Sequence, residues 1–211
     1  MEGPRGGLGA RGTGVRQAEG APHPVRYVTA GFARFLLKPF PGEKNPAGVT
    51  IGGSIARRAD MLSVRYEVRG NLSMVSIPAA VEAPRRKGRL WEETCLELFL
   101  GAADSGEEYW EFNLSPAGDW NVHRFTRYRE GMRQEPAITS LAFDVRRDPE
   151  SLLLAAELDI GKIVPAGRDL AATVAAVIKT IDGGKSHWAL VHPASRPDFH
   201  RRDGFILDIP S

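Results

Sequence analysis

The fold class is decided by two stretches of alternating apolar and polar residues, TCLELFL at residues 94–100 and YWEFNL at residues 109–114. Successive side chains of a β-strand point to opposite faces, so each stretch predicts a strand with one apolar face. The polar, glycine-containing segment between them favours an antiparallel hairpin. With that pairing, one face of the sheet carries Glu97, Glu111 and Asn113.

A third strand is predicted directly after this hairpin. The turn SPAGD, at residues 115–119, has proline at its second position and glycine two residues later, as tight turns often do. The following segment, Trp120–Phe125, then continues as a strand of the same sheet.

The polar face of this sheet indicates a site for a hydroxyl-rich small molecule. Carboxylate and amide groups form hydrogen bonds with hydroxyls, whereas an indole ring stacks on the apolar face of a sugar ring. We expect Glu97, Glu111 and Asn113 to be the hydroxyl partners. The candidate stacking surfaces are Trp91, Trp120 and Trp188, and the further candidate ligand-binding residues are His192, Arg201 and Asp203.

Two of these tryptophans have a second interpretation. Trp91 leads into a core strand, where a tryptophan is as typical of a plug over the apolar layer as of a stacking platform. Trp120 points away from Asn121 and His123 by strand parity. If the face of Trp120 differs from that of Glu111, the Trp120 side chain belongs to the core.

The same stretches resemble the DOMON-like domains related to family-9 carbohydrate-binding modules, in their bacterial stand-alone version. The resemblance rests on residues 90–100, 109–118, 188–192 and 196–205, and it spans residues 28–209. It implies a jelly-roll-type antiparallel β-sandwich that binds a sugar or, in other branches, haem, usually without catalysis. It also implies structural calcium as a possible cofactor, since related modules often hold this ion.

Length and composition favour a single sandwich domain at residues 25–211. The chain has 211 residues, 42% of them hydrophobic and 26% charged, which is ordinary for a globular protein with a buried core. Residues 1–24 are rich in Gly, Arg, Ala and Pro without an apolar period, which predicts a disordered leader or a start-site artefact. The net charge of +2 is too small for a nucleic-acid surface. The single cysteine, Cys95, excludes an internal disulfide.

Localisation and assembly are only weakly constrained. The N-terminus lacks the apolar segment of a signal peptide, and no stretch is apolar for long enough to span a bilayer. We therefore expect a cytoplasmic protein without a membrane partner, although a mis-assigned start would leave secretion open. The oligomeric state is left open by the sequence.

Four further segments predict strands. Residues 61–69 and 152–160 alternate between apolar and polar positions. Residues 170–181 are apolar on both faces, and the flanking glycines favour a buried central strand over a helix. Residues 72–77 follow a Gly-Asn turn and also predict a strand.

Ion binding is one alternative function. The basic loop at residues 79–89 indicates either a solvated loop or an anion clamp, and its cations are Arg85, Arg86, Lys87 and Arg89. Oxygen ligands for calcium could come from loops, although EF-hand spacing is lacking; the candidates are Asp104, Glu107, Glu108 and Asp119. A transition-metal site at His187, His192 and His200 is disfavoured, because the first two have opposite strand parity.

Catalysis, haem binding and protein interaction each find some support in the residue types present. Glu97 and Glu111 could form a hydrolytic carboxylate pair, but nothing in the sequence indicates a raised pKa. Haem would need axial ligands, for which the candidates are Met61, Met74, His123 and His192. A large apolar patch without a concave polar site would favour a protein partner. The sequence as a whole predicts a non-catalytic sugar-binding module.

Overall fold

The protein folds as a sandwich of two antiparallel β-sheets, as predicted. The computed structural model describes residue 1, residues 31–104 and residues 106–211, so the leader expected at residues 1–24 lies, apart from residue 1, outside the described residues. The strands are β1 (Phe32–Leu36), β2 (Lys38–Pro39), β3 (Thr50–Arg58), β4 (Met61–Arg69), β5 (Cys95–Ala102), β6 (Tyr109–Leu114), β7 (Trp120–Phe125), β8 (Arg133–Gln134), β9 (Phe143–Arg147), β10 (Ser151–Asp159), β11 (Leu170–Lys179), β12 (Lys185–Ala189) and β13 (Leu207–Ile209).

The strands divide into a five-stranded and an eight-stranded sheet. The first sheet has the order β1-β3-β4-β10-β9. The second has the order β2-β12-β11-β5-β6-β7-β8, and β13 also pairs with β11. In the described residues, four short 3-10 turns connect strands, at Leu72–Met74, Leu90–Glu92, Ile160–Lys162 and Arg202–Gly204. Within the described ranges, no helix is long and apolar enough to cross a membrane.

The core lies between the inner faces of the two sheets, where alternate residues of each strand are buried. In β4 and β5 these are the leucines, valines and tyrosine predicted from the alternation, for example Leu62, Val64, Leu96 and Leu98. One polar contact crosses this layer, because the Tyr66 hydroxyl in β4 donates to the backbone carbonyl of Glu97 in β5 at 2.6 Å. The backbone of β5 at Glu97 is therefore held in place by Tyr66 of the opposite sheet.

Strand β11 is central and buried on both faces, which confirms the interpretation of residues 170–181 as strand. Its inner face packs in the core, and its outer face belongs to a second apolar cluster, formed by Phe99, Tyr109, Phe125, Ala175 and Phe205. The C-terminal segment, which we define as residues 196–205, covers this outer face. Because both faces of β11 are covered, residues 170–181 show no alternation of polarity.

An arginine fastens the C-terminal segment to β5. The guanidinium of Arg202 packs directly over Gly101, where an added Cβ would lie 1.9 Å from Nη1. Its Nη2 donates to the backbone carbonyl of Ala102. A side chain at position 101 would therefore displace the Arg202 guanidinium from this place.

The strand expected at residues 72–77 is wrong. The chain forms the 3-10 turn Leu72–Met74, followed by an isolated bridge between Val75 and Thr180. Leu72 and Val75 are the buried residues here. Their spacing of three matches the period of a 3-10 turn, whereas one strand face would bury positions two apart.

Candidate functional site

A cleft of about 400 Å³ lies on the outer face of the second sheet. Strands β5, β6, β7, β11 and β12 supply its floor, and the C-terminal segment and the loop after β7 supply its walls. Its volume falls in the range of roughly 300–1,000 Å³ that small-molecule sites occupy. The lining residues are Trp91, Glu97, Glu111, Phe125, Arg129, Met132, Val177, His187, Pro197, Phe199 and His200.

Two buried carboxyl groups form the polar floor of this cleft. Glu97 pairs with Asn113 across the β5–β6 ladder, and Phe99 pairs with Glu111. Glu97 and Glu111 are therefore diagonal neighbours on one face, with Cβ atoms expected within about 7 Å. Their exposed fractions are only 3% and 4%.

Asn113 orients one of the two carboxyls. Its Nδ2 donates to Oε1 of Glu111 at 2.7 Å, and its Oδ1 accepts a weak bond from the Cys95 thiol at 3.6 Å. Asn113 is fully buried. In contrast, Oε1 of Glu97 is buried and has no hydrogen-bond partner among the described residues.

Burial makes both carboxyls weaker acids than an exposed glutamate. Desolvation raises the pKa of Glu97 well above its usual range, and the charge of Glu111 adds to this, whereas Arg129 opposes it. Desolvation likewise raises the pKa of Glu111 to about 7, against the opposing effects of the Asn113 hydrogen bond and Arg129. The pair therefore holds protons near neutral pH that exposed glutamates would have lost.

The neutral imidazole of His200 forms the part of the cleft wall that lies above Glu111. Desolvation and the charge of Arg129 lower the pKa of His200 to about 4. The His200 Nδ1 lies 2.9 Å from the Tyr109 hydroxyl, which accepts a hydrogen bond from the backbone N–H of Arg129 at 3.1 Å. Donation from this hydroxyl to Nδ1 satisfies both groups and assigns the imidazole proton to Nε2. That nitrogen lies 4.0 Å from Oε2 of Glu111.

Asp198 joins the loop after β7 to the C-terminal segment at the wall of the cleft. Its Oδ1 accepts from Nη2 of Arg129 at 2.9 Å and from the backbone N–H of His200 at 3.2 Å. Its Oδ2 accepts from the Tyr128 hydroxyl. The charge of Arg129 is thereby compensated by a carboxylate that lies outside the floor of the cleft.

Aromatic side chains surround the carboxyl pair. Trp91, in the turn Leu90–Glu92, is half-buried and packs edge-on against the ring of His123 at 5.7 Å. Phe125 stacks on Tyr109 with a centroid separation of 4.7 Å, and Phe199 lies edge-on to Phe99. The cleft thus combines apolar ring surface with buried acceptors.

Trp120 and Trp188 lie elsewhere, and the expectation that they stack on a ligand does not fit their placement. Both belong to the core between the sheets, with exposed fractions of 4% and 3%. The indole of Trp188 donates to the Ser186 hydroxyl at 2.9 Å. The guanidinium of Arg86 lies 4.5 Å from the ring centroid of Trp120. Neither indole presents a face to the cleft.

The three remaining predicted residues lie away from the cleft lining. The Nε2–H of His192 donates to the backbone carbonyl of Lys38 at 2.9 Å, and its ring packs edge-on against Phe40. Arg201 and Asp203 form an ion pair with each other at 2.6 Å on the surface. In the structure His192 contacts residues in and next to β2, whereas Arg201 and Asp203 pair with each other.

Several lining residues have little signal in the sequence as binding residues. In the sequence His187 stands out only as a candidate metal ligand. Its side chain points outward from β12 because it has the opposite strand parity to the buried Trp188. Arg129 and Phe199 come from irregular loops without a periodic signal. His200 belongs to a charged aromatic segment, but its position above Glu111 depends on the docking of that segment.

Arg86 of the basic loop is engaged in structural contacts. Its Nη1 donates to Oδ1 of Asn121 at 2.9 Å, and its Nη2 donates to the carbonyls of Glu135, at 3.1 Å, and Ile138. Arg85 and Lys87 are exposed. This arrangement fits the interpretation of a solvated loop tied down by one internal arginine.

The candidate cofactor ligands do not assemble into one site. The acidic calcium candidates have separate cationic partners: Asp104 pairs with Arg168, Glu108 with Arg124 and Asp119 with Lys87. In the described part of the chain, no three His, Cys, Asp or Glu side chains form a group that could hold a metal ion. Of the haem candidates, Met61 starts a strand of the first sheet, whereas His123 lies in the second sheet. The described residues thus show no assembled cluster of metal-ligating side chains, and Met61 and His123 belong to different sheets.

Comparisons with known proteins give a similar fold and no family. No family model matches the chain, and no curated protein matches it. A solved structure of a candidate carbohydrate-binding protein from Bacteroides uniformis has a TM-score of 0.62 and 17% identity, and the match covers 81% of this chain and 83% of that one.

Two further similar structures are of a family-9 carbohydrate-binding module from Caldicellulosiruptor kristjanssonii. The complex with glucose has a TM-score of 0.49 and 11% identity, covering 90% of this chain and 91% of that one. The complex with cellotriose has a TM-score of 0.47 and 12% identity, covering 77% and 74%. The chain therefore shares the β-sandwich fold of the Bacteroides protein, and at these identities the likeness concerns the fold alone.

Proposed function

We propose that this protein is a non-catalytic module that binds a carbohydrate in the cleft on the outer face of the second sheet. The observation that carries the proposal is the position of a buried carboxyl pair, Glu97 and Glu111, beside the half-buried indole of Trp91. Sugars combine hydroxyl donors with an apolar ring face, and this cleft offers a partner for each. The fold shared with a candidate carbohydrate-binding protein supports the same class of ligand.

Within this proposal the side chains have different roles. Trp91 provides the stacking surface, and Glu97 and Glu111 accept hydrogen bonds from hydroxyls. Asn113 acts through Glu111, because its amide is buried and already bonded to that carboxyl. Trp120 and Trp188 stabilise the core and have no part in ligand contact.

The placement of the carboxyls favours binding over hydrolysis. Glycosidases place two carboxyl groups on either side of the scissile bond. Here both project from adjacent strands of one sheet face, so they would meet the same side of a ligand. A concave site with buried acceptors also favours a small molecule over a protein partner, which would need a broad apolar surface.

Isothermal titration calorimetry with a panel of mono- and oligosaccharides tests this proposal. We expect saturable binding by the wild-type protein and at least about tenfold weaker binding by Trp91→Ala and Glu97→Gln. The matched control is Glu150→Gln, because Glu150 is an exposed acid in the loop before β10. Absence of binding across the panel by a folded protein would refute the proposal.

A further inference from the structure

We propose that the ligand of this cleft is a sugar that carries a primary ammonium group, held between the carboxylates of Glu97 and Glu111. This inference rests on the proposed function and specifies the class of sugar. An amino sugar would therefore bind in preference to the neutral sugar of the same stereochemistry.

The first argument is an excess of hydrogen-bond acceptors on the floor. Oε1 of Glu97 lacks a partner among the described residues, although Glu97 is only 3% exposed. Oε1 of Glu111 is occupied by Asn113, and its Oε2 stands 4.0 Å from His200 Nε2. A ligand that pairs with the ionised form of this floor must bring donors, and an ammonium group brings three.

The second argument is that, among the described residues, no Arg or Lys bonds directly to the two carboxyls, although the charge of Arg129 lowers the pKa of both. Arg129 is the single Arg or Lys among the described lining residues, and it is paired with Asp198. The Nδ1 of His187 faces Oε1 of Glu43 at 2.7 Å, and His200 is neutral. Two buried carboxylates without a cation are costly, so a cationic ligand stabilises their ionised form more than a neutral ligand does.

The third argument is the aromatic wall. The side chains of Trp91, Phe125 and Phe199 line the cleft that contains the two carboxyls. Ring faces attract a neighbouring cation when water is excluded. The same rings that accept the apolar side of a sugar thus also favour its ammonium group.

Binding of an ammonium ligand should release protons from the protein. Burial holds protons on the pair, and the pKa of Glu111 is about 7, whereas the salt bridge with an ammonium needs the ionised form. Affinity for the amine should therefore rise as the pH approaches 7 from below, where the ammonium group of the sugar is still protonated. The other titratable or charged groups facing the pair are Cys95 and Tyr109 on the sheet, His123 on β7, His187 on β12, Arg129 in the loop, and Asp198 and His200 in the C-terminal segment.

The test compares glucosamine, galactosamine and mannosamine with their parent sugars and N-acetyl derivatives by calorimetry. Ethanolamine is included as an amine without a sugar ring. We expect each preferred amino sugar to bind at least about tenfold more tightly than its neutral counterparts. Titrations in phosphate and in HEPES, whose ionisation enthalpies differ and which carry no primary amine, should show net proton release for the amine alone.

Variants separate charge from shape. Glu111→Gln should reduce the preference for the amine to less than about threefold, whereas Glu150→Gln should leave the preference intact. A salt titration should weaken binding of the amine more than that of a neutral sugar.

The outcomes distinguish this inference from the proposed function. Equal affinity for amino and neutral sugars would overturn the inference and leave the sugar module standing. Ethanolamine binding as tightly as glucosamine would keep an ammonium site but overturn its assignment to sugars. No binding of any compound by the folded protein would overturn both.

Discussion

The carboxamide of Asn113 donates a 2.7 Å hydrogen bond to Oε1 of Glu111, its neighbour two positions back on the same strand face. This bond fixes which oxygen of Glu111 remains available to the cleft. It also favours the ionised carboxyl, because a donated hydrogen bond stabilises negative charge. The buried Asn113, which does not line the cleft, thereby influences both the geometry and the acidity of Glu111, which does.

Replacing this amide should raise the pKa of Glu111 above its value of about 7, since Asn113 lowers it. We expect Asn113→Ala to shift the titration of the Glu111 side-chain carboxyl, measured by carbon NMR, to higher pH. Asn45→Ala is the matched control, because that amide bonds the backbone of Val49 in another part of the chain. An unchanged or lowered midpoint in the Asn113 variant would show that the hydrogen bond does not stabilise the ionised carboxyl.

The stability of the protein should depend on pH through groups of opposite sign, with Glu97 and Glu111 on one side and His200 on the other. Glu111 has a pKa raised from 4.5 to about 7, so its contribution is full below pH 4.5 and is lost as the pH rises through 7. His200 has a pKa lowered from 6.5 to about 4, so its contribution is full above pH 6.5 and is lost as the pH falls through 4. The two trends partly cancel in the wild type.

The variant Glu111→Gln separates the contribution of Glu111 from that of His200. The free energy of unfolding of this variant, relative to wild type, should increase by on the order of 3 kcal/mol from pH 4 to pH 8, because the amide has no proton to lose. Urea denaturation at a series of pH values measures this difference. A difference that does not change with pH would mean that Glu111 titrates normally in the folded state.

Trp91 should be the principal tryptophan open to solvent. The sequence has four tryptophans, and Trp110, Trp120 and Trp188 are all buried in the described structure. We expect Trp91→Phe to remove most of the acrylamide quenching of the fluorescence, because a neutral quencher must reach the indole. In the control variant Trp188→Phe, quenching should persist while stability falls by about 1–3 kcal/mol. Undiminished quenching in Trp91→Phe would contradict its placement at the cleft.

Arg86 should stabilise the fold in a way that lysine cannot reproduce. Its planar guanidinium donates to Asn121 and to the carbonyls of Glu135 and Ile138 at the same time. Arg86→Lys should lower the free energy of unfolding by about 2 kcal/mol in urea, whereas Arg85→Lys at the exposed neighbouring position should change it by less than about 0.5 kcal/mol. Equally small changes in the free energy of unfolding for both substitutions would show that the contacts of Arg86 do not stabilise the fold.

The strands could be predicted from the sequence because alternation is a local property. The patterns of β4 and β10 each indicate the buried face, and those of β5 and β6 indicate the face that meets the core, although both faces of β5 and β6 are buried. The glycines around β11 favour a strand over a helix. The shared face of Glu97 and Glu111 follows from the same parity. The turn at Leu72–Met74 was missed because a short apolar segment carries too few residues to separate a period of two from a period of three.

The walls of the cleft could not be predicted in this way. Arg129 and Asp198 are 69 positions apart in the chain, and their contact exists only after the C-terminal segment docks on the sheet. Parity placed Trp120 opposite to Asn121 and His123, but it could not say which face meets the core. For Trp188, the buried side of β12 is decided by its neighbours in the sheet rather than by its own sequence.

The hydrogen bond from Tyr66 to the carbonyl of Glu97 bears on any attempt to move this site to another scaffold. The cleft residues all belong to one side of the molecule, yet the backbone beneath Glu97 is anchored through the core by a residue of the far sheet. Grafting the cleft side chains alone would copy the donors, acceptors and rings without their anchor. A recipient sandwich would need a tyrosine at the matching depth for Glu97 to be presented in the same way.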